Sequence, residues 1–402
     1  TALGKLDVRE NLEFFKNRLL EVKNQQVPAE EQKHQGEEIR ELNEIILKTE
    51  GAKKHQFTGF QMSHEMLLLT NREQREVTLS EVKEIGASVQ RKAELHPLGV
   101  LVFSKKVTPF TKLRTYRELL FPIHTNERIP AMPHRAAELL WHSDLYAFLT
   151  ECHEGDAPFF FRLEVKSAEP KTEFVKKLGA SLEKKSDWKL ANSTTDYEIE
   201  IRLIEAKDGS FVPFLKLYSM KMKRFAYRKN AIAMSIHPAT AAMLMYLAKP
   251  YLKENAQILD PCCGVGTMLI ERDILVPARE KYGIDIFGDA IDMARENAAL
   301  AGEKINFIHR DYFDFKHDYK FDEIVTNMPV KGKKAKEDMD AFYARFFEKS
   351  KSLLAEDGII IMYSNEVGFV KKQLRLQPCY RLIQEYTVRK KDSYCLFIIG
   401  MK

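Results

Sequence analysis

The run Ile258-Leu259-Asp260-Pro261-Cys262-Cys263-Gly264-Val265-Gly266-Thr267, continued by Met268-Leu269-Ile270, has the composition of a loop that meets a ligand. A short apolar strand ends at Asp260, two glycines allow a tight turn and close backbone approach, and a helix begins. Nineteen residues after Gly266, Tyr282-Gly283-Ile284-Asp285 puts a carboxylate at the end of a second strand. In doubly wound sheets that position accepts hydrogen bonds from a ribose hydroxyl pair. A solvated Asp285 beside a merely structural turn is the plainer alternative.

Two further strand ends carry polar groups. Asp311 follows the strand-like Ile305-Asn306-Phe307-Ile308 and suits an acceptor for an adenine amino group, although Asp311 and Asp314 also suit caps. Phe321-Asp322-Glu323-Ile324-Val325-Thr326 ends in Asn327-Met328-Pro329-Val330. There the Asn327 side-chain oxygen and a carbonyl fixed by Pro329 form a pair of acceptors that would hold an amino group in line with an electrophile.

The elements that position these groups follow from periodicity. Upstream, Ser235 or His237 stands near the cap of a helix opened by Pro238 and running to residue 247. Downstream, the pattern predicts helices over 290–301 and 342–354, a fifth strand over 358–363, and a final strand pair over 380–386 and 394–399. Residues 161–165 and 197–203 alternate as half-buried strands, with a lysine-rich helix between them and a turn at Asp208-Gly209. A further strand over 211–218 contains Pro213, which argues for an edge or a bulge. Residues 8–22 and 39–46 read as two helices with a loose connector over 25–36. Between 51 and 120 only short segments stand out: strands over 66–69, 77–79 and 99–103, and a helix over 79–85, with another over 133–149.

Composition narrows the class. A chain of 402 residues exceeds what one core usually fills, so two or three domains are expected. The 63 Lys and Arg against 58 Asp and Glu give +5, which is compatible with nucleic acid without demanding it. The basic stretch Lys216, Lys221, Lys223, Arg224, Arg228 and Lys229, interleaved with Tyr218, Phe225 and Tyr227, suits either a phosphate-and-base surface or a packed inter-domain strand. Five cysteines, odd in number and without the paired spacing of a zinc module, no long apolar span and no apolar signal core in the first twelve residues lead to the expectation of a reduced, cytoplasmic protein without membrane or metal. Cys262 and Cys263 sit in the ligand loop, away from Asn327, which makes them poor candidates for a nucleophile.

Taken together, the glycine loop, Asp285, Asp311 and Asn327-Met328-Pro329-Val330 resemble the amino-group class of S-adenosylmethionine-dependent methyltransferases. Tyr227-Arg228-Lys229 with Ser235-Ile236-His237-Pro238 is similar to the lead-in of the tRNA and rRNA guanine-N2 methyltransferases that carry an RNA-binding THUMP domain. The resemblance covers about residues 155–402 and is more specific in its catalytic half. It implies an α/β, Rossmann-like, seven-stranded class I methyltransferase domain over 225–402, preceded by an α+β region over 51–224 that includes a THUMP-like domain, and by a helical lead-in over 1–50. It also implies S-adenosylmethionine as cofactor, held by Ser235, His237, Pro238, Asp260, Pro261, Cys262, Gly264, Gly266, Thr267, Asp285, Asp311 and Asn327. Catalysis would fall to Asn327, Met328, Pro329 and Val330, with tRNA or rRNA as partner and guanine N2 as acceptor.

One position departs from that family. An aromatic residue usually follows the motif proline and packs on the target base, whereas this chain has Val330. The base would then be held otherwise, by Tyr312, Phe313 or Phe342, or the acceptor differs from guanine. Amino methylation of another base, in RNA or DNA, and a cofactor-binding RNA adaptor without chemistry, are the alternatives. Lys331, Lys333, Lys334 and Lys336 would meet substrate phosphate or form a solvated loop.

Overall fold

The computed structural model describes residues 11–402 except 29, 51–53, 87–88, 90–91, 156–157 and 331–335. The first ten residues, Lys331, Lys333, Lys334 and the side chain of Lys336 therefore lie outside the described residues. The chain divides into two compact units, Thr1–Glu65 with Leu120–Lys221 and Met66–Leu119 with Met222–Lys402.

The second unit is built on seven strands: β1 (Gln257–Asp260), β2 (Glu280–Asp285), β3 (Asn306–His309), β4 (Phe321–Asn327), β5 (Leu354–Ser364), β6 (Tyr380–Arg389) and β7 (Tyr394–Met401). Their order is β3-β2-β1-β4-β5-β7-β6. Strands β1 to β5 pair in parallel and β7 is antiparallel to both neighbours. All four residues of β1 are buried, as a central strand covered by helices on both faces requires. The chain winds outward from β1 to β3 and then returns beside β1 as β4. That reversal opens a crevice at the carboxyl ends of β1 and β4, so the glycine loop and Asn327 become neighbours.

A buried ion pair fixes the strand that delivers Asn327. Arg272, on the helix Thr267–Leu275, and Glu323, on β4, are both wholly buried. The guanidinium donates to the two carboxylate oxygens at 2.8 and 2.7 Å and also to the Lys253 carbonyl at 2.7 Å. The backbone N–H of Lys253 adds a third bond to Glu323 at 2.7 Å. Each buried charge is thereby both paired and hydrogen-bonded, which is the condition under which such a pair is tolerated.

Residues 66–119, which the sequence reading grouped with the upstream region, cluster with the seven-stranded sheet. They contain the helix Arg75–Glu84 and the antiparallel strands Lys92–His96 and Gly99–Ser104. The expected strand at 77–79 lies inside that helix, because Leu79 and Val82 turn toward one buried side at helical spacing. Arg114 makes a bidentate bond to Glu271 at 2.8 and 2.8 Å, and Tyr227 donates to the same carboxylate at 2.6 Å. Asn71 and Gln74 donate to the carbonyls of Val388 and Thr387 at 2.9 and 2.7 Å.

The first unit has its own α+β framework. The strand Phe159–Lys166 lies parallel to Leu190–Asn192 on one side and Ile199–Glu205 on the other, with the helix Thr172–Lys185 as the crossover. Phe211–Leu217 then pairs antiparallel with Ile199–Glu205. Pro213 is not on an edge: Phe214 and Leu215 beside it also pair with Pro122 and Phe121. Its missing N–H is tolerated because that side of Pro213 meets Ile123, one residue beyond the paired stretch, whose N–H donates to the Pro213 carbonyl at 3.2 Å. The helices Leu12–Asn24 and Gln32–Glu50 pack through Phe15, Val22, Ile39, Leu42 and Ile45. The second begins earlier than the connector expected over 25–36 allowed. The helix expected over 133–149 is two, Pro133–Trp141 and Leu145–Cys152.

Candidate active site

The crevice holds a cavity of about 930 Å³. Cys262, Gly264, Thr267 and Asp285 line it on the glycine-loop side and Asn327, Pro329 and Val330 on the β4 side. Gly264 and Gly266 have φ of 51° and 81°, conformations that side chains rarely adopt. At Gly266 a Cβ would also stand 2.9 Å from the Phe307 ring. The loop is held by Asp285, which accepts from the Gly264 N–H at 2.8 Å and the Phe287 N–H at 3.0 Å. Each oxygen keeps lone-pair capacity for a hydroxyl. The Thr267 hydroxyl, buried at the helix start, has no hydrogen-bond partner among the described residues. An unsatisfied hydroxyl and a carboxylate with capacity to spare on one cavity wall fit a ribose-bearing cofactor.

Asp260 is fully buried at the floor, where it accepts from the Cys262 N–H at 3.1 Å. Burial pushes its carboxyl from 3.8 up to about 8, with the Cys262 N–H opposing and the neighbouring Asp285 charge adding to the shift. Across the interval from 3.8 to about 8 the folded protein keeps a proton that the unfolded chain has lost. Stability therefore falls as pH rises through that window and levels off above it. Chemical denaturation of the ligand-free protein should show a descent of up to a few kcal/mol that Asp260→Asn removes. Parallel profiles for the two proteins would exclude Asp260 as its source.

On the approach to the helix Pro238–Ala248, the His237 Nδ1 accepts from the Ala239 N–H at 3.1 Å and caps the helix. Burial, reinforced by Arg117, Arg228 and Arg224, lowers the imidazole to about 4. It is therefore neutral near pH 7, with its proton on Nε2. Ser235 accepts from the Ile232 N–H at 3.0 Å, and both Ser235 and His237 line the cavity. Pro238 opens the helix and Pro261 shapes the loop, but neither is a lining residue. Gly266 acts behind the wall, against Phe307.

Asn327 ends β4 with its side chain at the cavity and free of hydrogen bonds among the described residues. The Met328 N–H bonds the Tyr363 carbonyl at 2.9 Å, while the Met328 side chain is buried in the core and anchors the turn.

Other expected residues are elsewhere. Asp311 caps the short turn Tyr312–Asp314 by accepting from the Phe313 N–H at 2.9 Å and does not line the cavity. Tyr312 is buried with its hydroxyl against Ser350 at 2.9 Å, and Phe313 packs edge-on against Phe342. None of these three rings lines the cavity. The basic stretch is largely structural: Arg224 donates to the carbonyls of Leu113, Tyr116 and Arg117 and stacks on Tyr116, and Tyr227 is buried. Lys221, Lys223 and Lys229 remain exposed. Sequence reasoning missed Arg117, Tyr363, Arg389 and Tyr394, all of which line the cavity. For Tyr363 a signal existed, since it closes the expected fifth strand.

Among the described residues no group of three or more His, Cys, Asp or Glu could hold a metal ion, and no helix is long and apolar enough to cross a membrane.

A family model described as RMKL-like, methyltransferase domain, matches residues 226–394. The chain is 33% identical over 162 residues to the tRNA (guanine(10)-N2)-dimethyltransferase of Methanothermobacter thermautotrophicus, covering 40% of this chain and 46% of that enzyme. It is 25% identical over 196 residues to the ribosomal protein L11 methyltransferase of Thermotoga petrophila, covering 45% and 64%. The chain thus spans less than two thirds of either relative. Among solved structures, SMU.472 complexed with SAH superposes with a TM-score of 0.63 at 14% identity, over 85% of this chain and 98% of that one. With the strand order, the glycine loop and the crevice, these likenesses identify the C-terminal part of the chain as a class I domain of the S-adenosylmethionine-dependent methyltransferase superfamily, related to methylases of tRNA and of the ribosome.

Proposed function

We propose that this protein transfers a methyl group from S-adenosylmethionine to the N2 amino group of a guanine in tRNA or rRNA, in the cytoplasm. The observation that carries the reading is the Asn327 carboxamide, uncommitted and facing the cavity that the glycine loop and Asp285 also line. The chemistry that the cofactor supplies when bound is a methyl on a positively charged sulfur, whose carbon–sulfur bond breaks onto sulfur as the nitrogen–carbon bond forms. Asp285 would hold the ribose hydroxyls, and Thr267 and the Gly264–Thr267 turn would complete the cradle. The Asn327 oxygen accepts one amino N–H, which turns the nitrogen lone pair toward the methyl; the surplus proton then leaves to water. No residue of the chain needs to become a covalent nucleophile. The rate comes from alignment.

The tRNA enzyme among the relatives favours RNA as substrate. The α+β framework around Phe159–Leu217 suits the THUMP-like RNA-binding role, with the exposed Lys221 of the same unit following it in sequence. Incubation with methyl-labelled cofactor and unmodified tRNA and rRNA transcripts, followed by mass spectrometry of the nucleosides, tests the reading. N2-methylguanosine is the expected product. Label on another base would reassign the acceptor, and cofactor binding without label in RNA would leave the adaptor.

A further inference from the structure

The charged residues that line the cavity are segregated. Asp285 stands at the glycine loop, beside the protonated Asp260, whereas Arg117 and Arg389 belong to the wall that contains Tyr363 and Tyr394. A cofactor that carries positive charge matches the first end. The second end has the opposite preference and suits an anion.

That second end is also aromatic and pre-ordered. Tyr363 is the register partner of Asn327 on the adjacent parallel strand, so the two side chains leave the sheet on the same face. The Tyr363 and Tyr394 rings stack with centroids 4.8 Å apart and planes 28° apart. The Arg389 guanidinium lies over Tyr394 at 4.3 Å from its centroid and is held by Asp392. Arg117 is placed by a bond to the Thr240 hydroxyl at 3.3 Å. Arg389 and Tyr394 flank the turn between β6 and β7, which keeps the layer of rings and guanidinium at the mouth of the crevice. Val330, on the same cavity, offers no ring.

We propose that Tyr394, Arg389 and Arg117 form the nucleotide subsite of this enzyme, with the buried Tyr363 ring stacked behind Tyr394 as its support: Tyr394 borders the target base beside Asn327, and the two guanidiniums take its phosphate. A base against this wall presents its exocyclic amino group to Asn327, while stacking on tyrosine selects a planar heterocycle. The phosphate preference excludes a bare peptide amine as natural acceptor. The proposal rests on the methyl-transfer reading and makes it specific.

The test uses the full chain saturated with S-adenosylhomocysteine and two probes, guanosine 5′-monophosphate and guanosine, whose binding is followed by ligand-observed NMR. Wild type should bind the monophosphate more tightly than the nucleoside. Tyr394→Leu should weaken both probes by about tenfold or more, since a stacked base loses that much when its ring is removed, whereas Tyr394→Phe should retain them. Arg389→Gln should bring the monophosphate down to the level of guanosine. Calorimetric S-adenosylhomocysteine affinity, unchanged across the variants, shows that fold and cofactor site are intact. Wild-type probe affinity in Tyr394→Leu, or no binding of either probe to wild type that binds the cofactor product, overturns the subsite and leaves the methyltransferase reading standing. Failure of wild type to bind the cofactor product overturns both.

Discussion

Asn327→Ala is expected to lower single-turnover methyl transfer by about a hundredfold or more with both ligands saturating, because loss of the acceptor forfeits the orientation of the attacking nitrogen. The side chain has no hydrogen bond among the described residues, so its removal breaks no contact that holds β4. Cofactor affinity and unfolding midpoint should stay near wild type, and kcat should fall with kcat/KM, the pattern of an interaction made in the transition state. Asp285→Ala gives the complementary result. Its carboxylate anchors Gly264 and Phe287, so cofactor affinity itself should drop, by about 1.5–3 kcal/mol for a charge-assisted bond. A near-normal rate for Asn327→Ala would remove the residue from the chemistry. A parallel loss of stability and cofactor binding would recast it as a brace for the strand end.

The largest effect on stability is expected at Arg272→Met. The substitution keeps most of the apolar stem volume but leaves the Glu323 carboxylate buried with one N–H donor, from Lys253, in place of three. Breaking a buried pair from one side costs about 3–5 kcal/mol. Urea titration should show a lower midpoint with an unchanged slope. Arg272→Met combined with Glu323→Leu should recover much of the loss, since no unpaired charge then remains. A double variant as unstable as the single would locate the cost in packing. Because the pair ties the Thr267–Leu275 helix to β4, the single variant should also loosen the placement of Asn327 relative to Thr267.

The strand ends that carry chemistry were legible because their signals are local. Ile258 to Thr267 codes strand, turn and helix within ten residues, and Asn327 to Val330 follows an apolar strand directly. What was not legible depends on distant partners. Arg224 carries the same charge as the exposed lysines around it, and only the carbonyls of Leu113, Tyr116 and Arg117, more than a hundred residues away, make it structural. Tyr363 and Tyr394 sit in apolar strands where aromatics usually mean core; the pairing of β5 with β7 brings them together at the cavity. Asp311 stands at the end of β3, as expected, yet the tightness of the following turn uses its carboxylate locally. The α+β character of residues 159–217 was visible in alternation alone, while the attachment of residues 66–119 to the seven-stranded sheet leaves no periodic trace at all.

That attachment bears on how the protein is made. Arg114 and its partner Glu271 are 157 residues apart, so at about 5–20 residues per second the ribosome delivers the first roughly ten to thirty seconds before the second. Asn71 and Gln74 wait longer still, for the carbonyls of Val388 and Thr387, which lie 317 and 313 residues further along the chain. Through that interval the nascent segment carries the buried-to-be Glu81 and Arg114 without the groups that will cover them. A chain released early lacks the β6 carbonyls to which this segment docks. Completion of the second unit is therefore tied to translation of β6, and a product terminated before that strand is a client for chaperones and proteases rather than a folded unit.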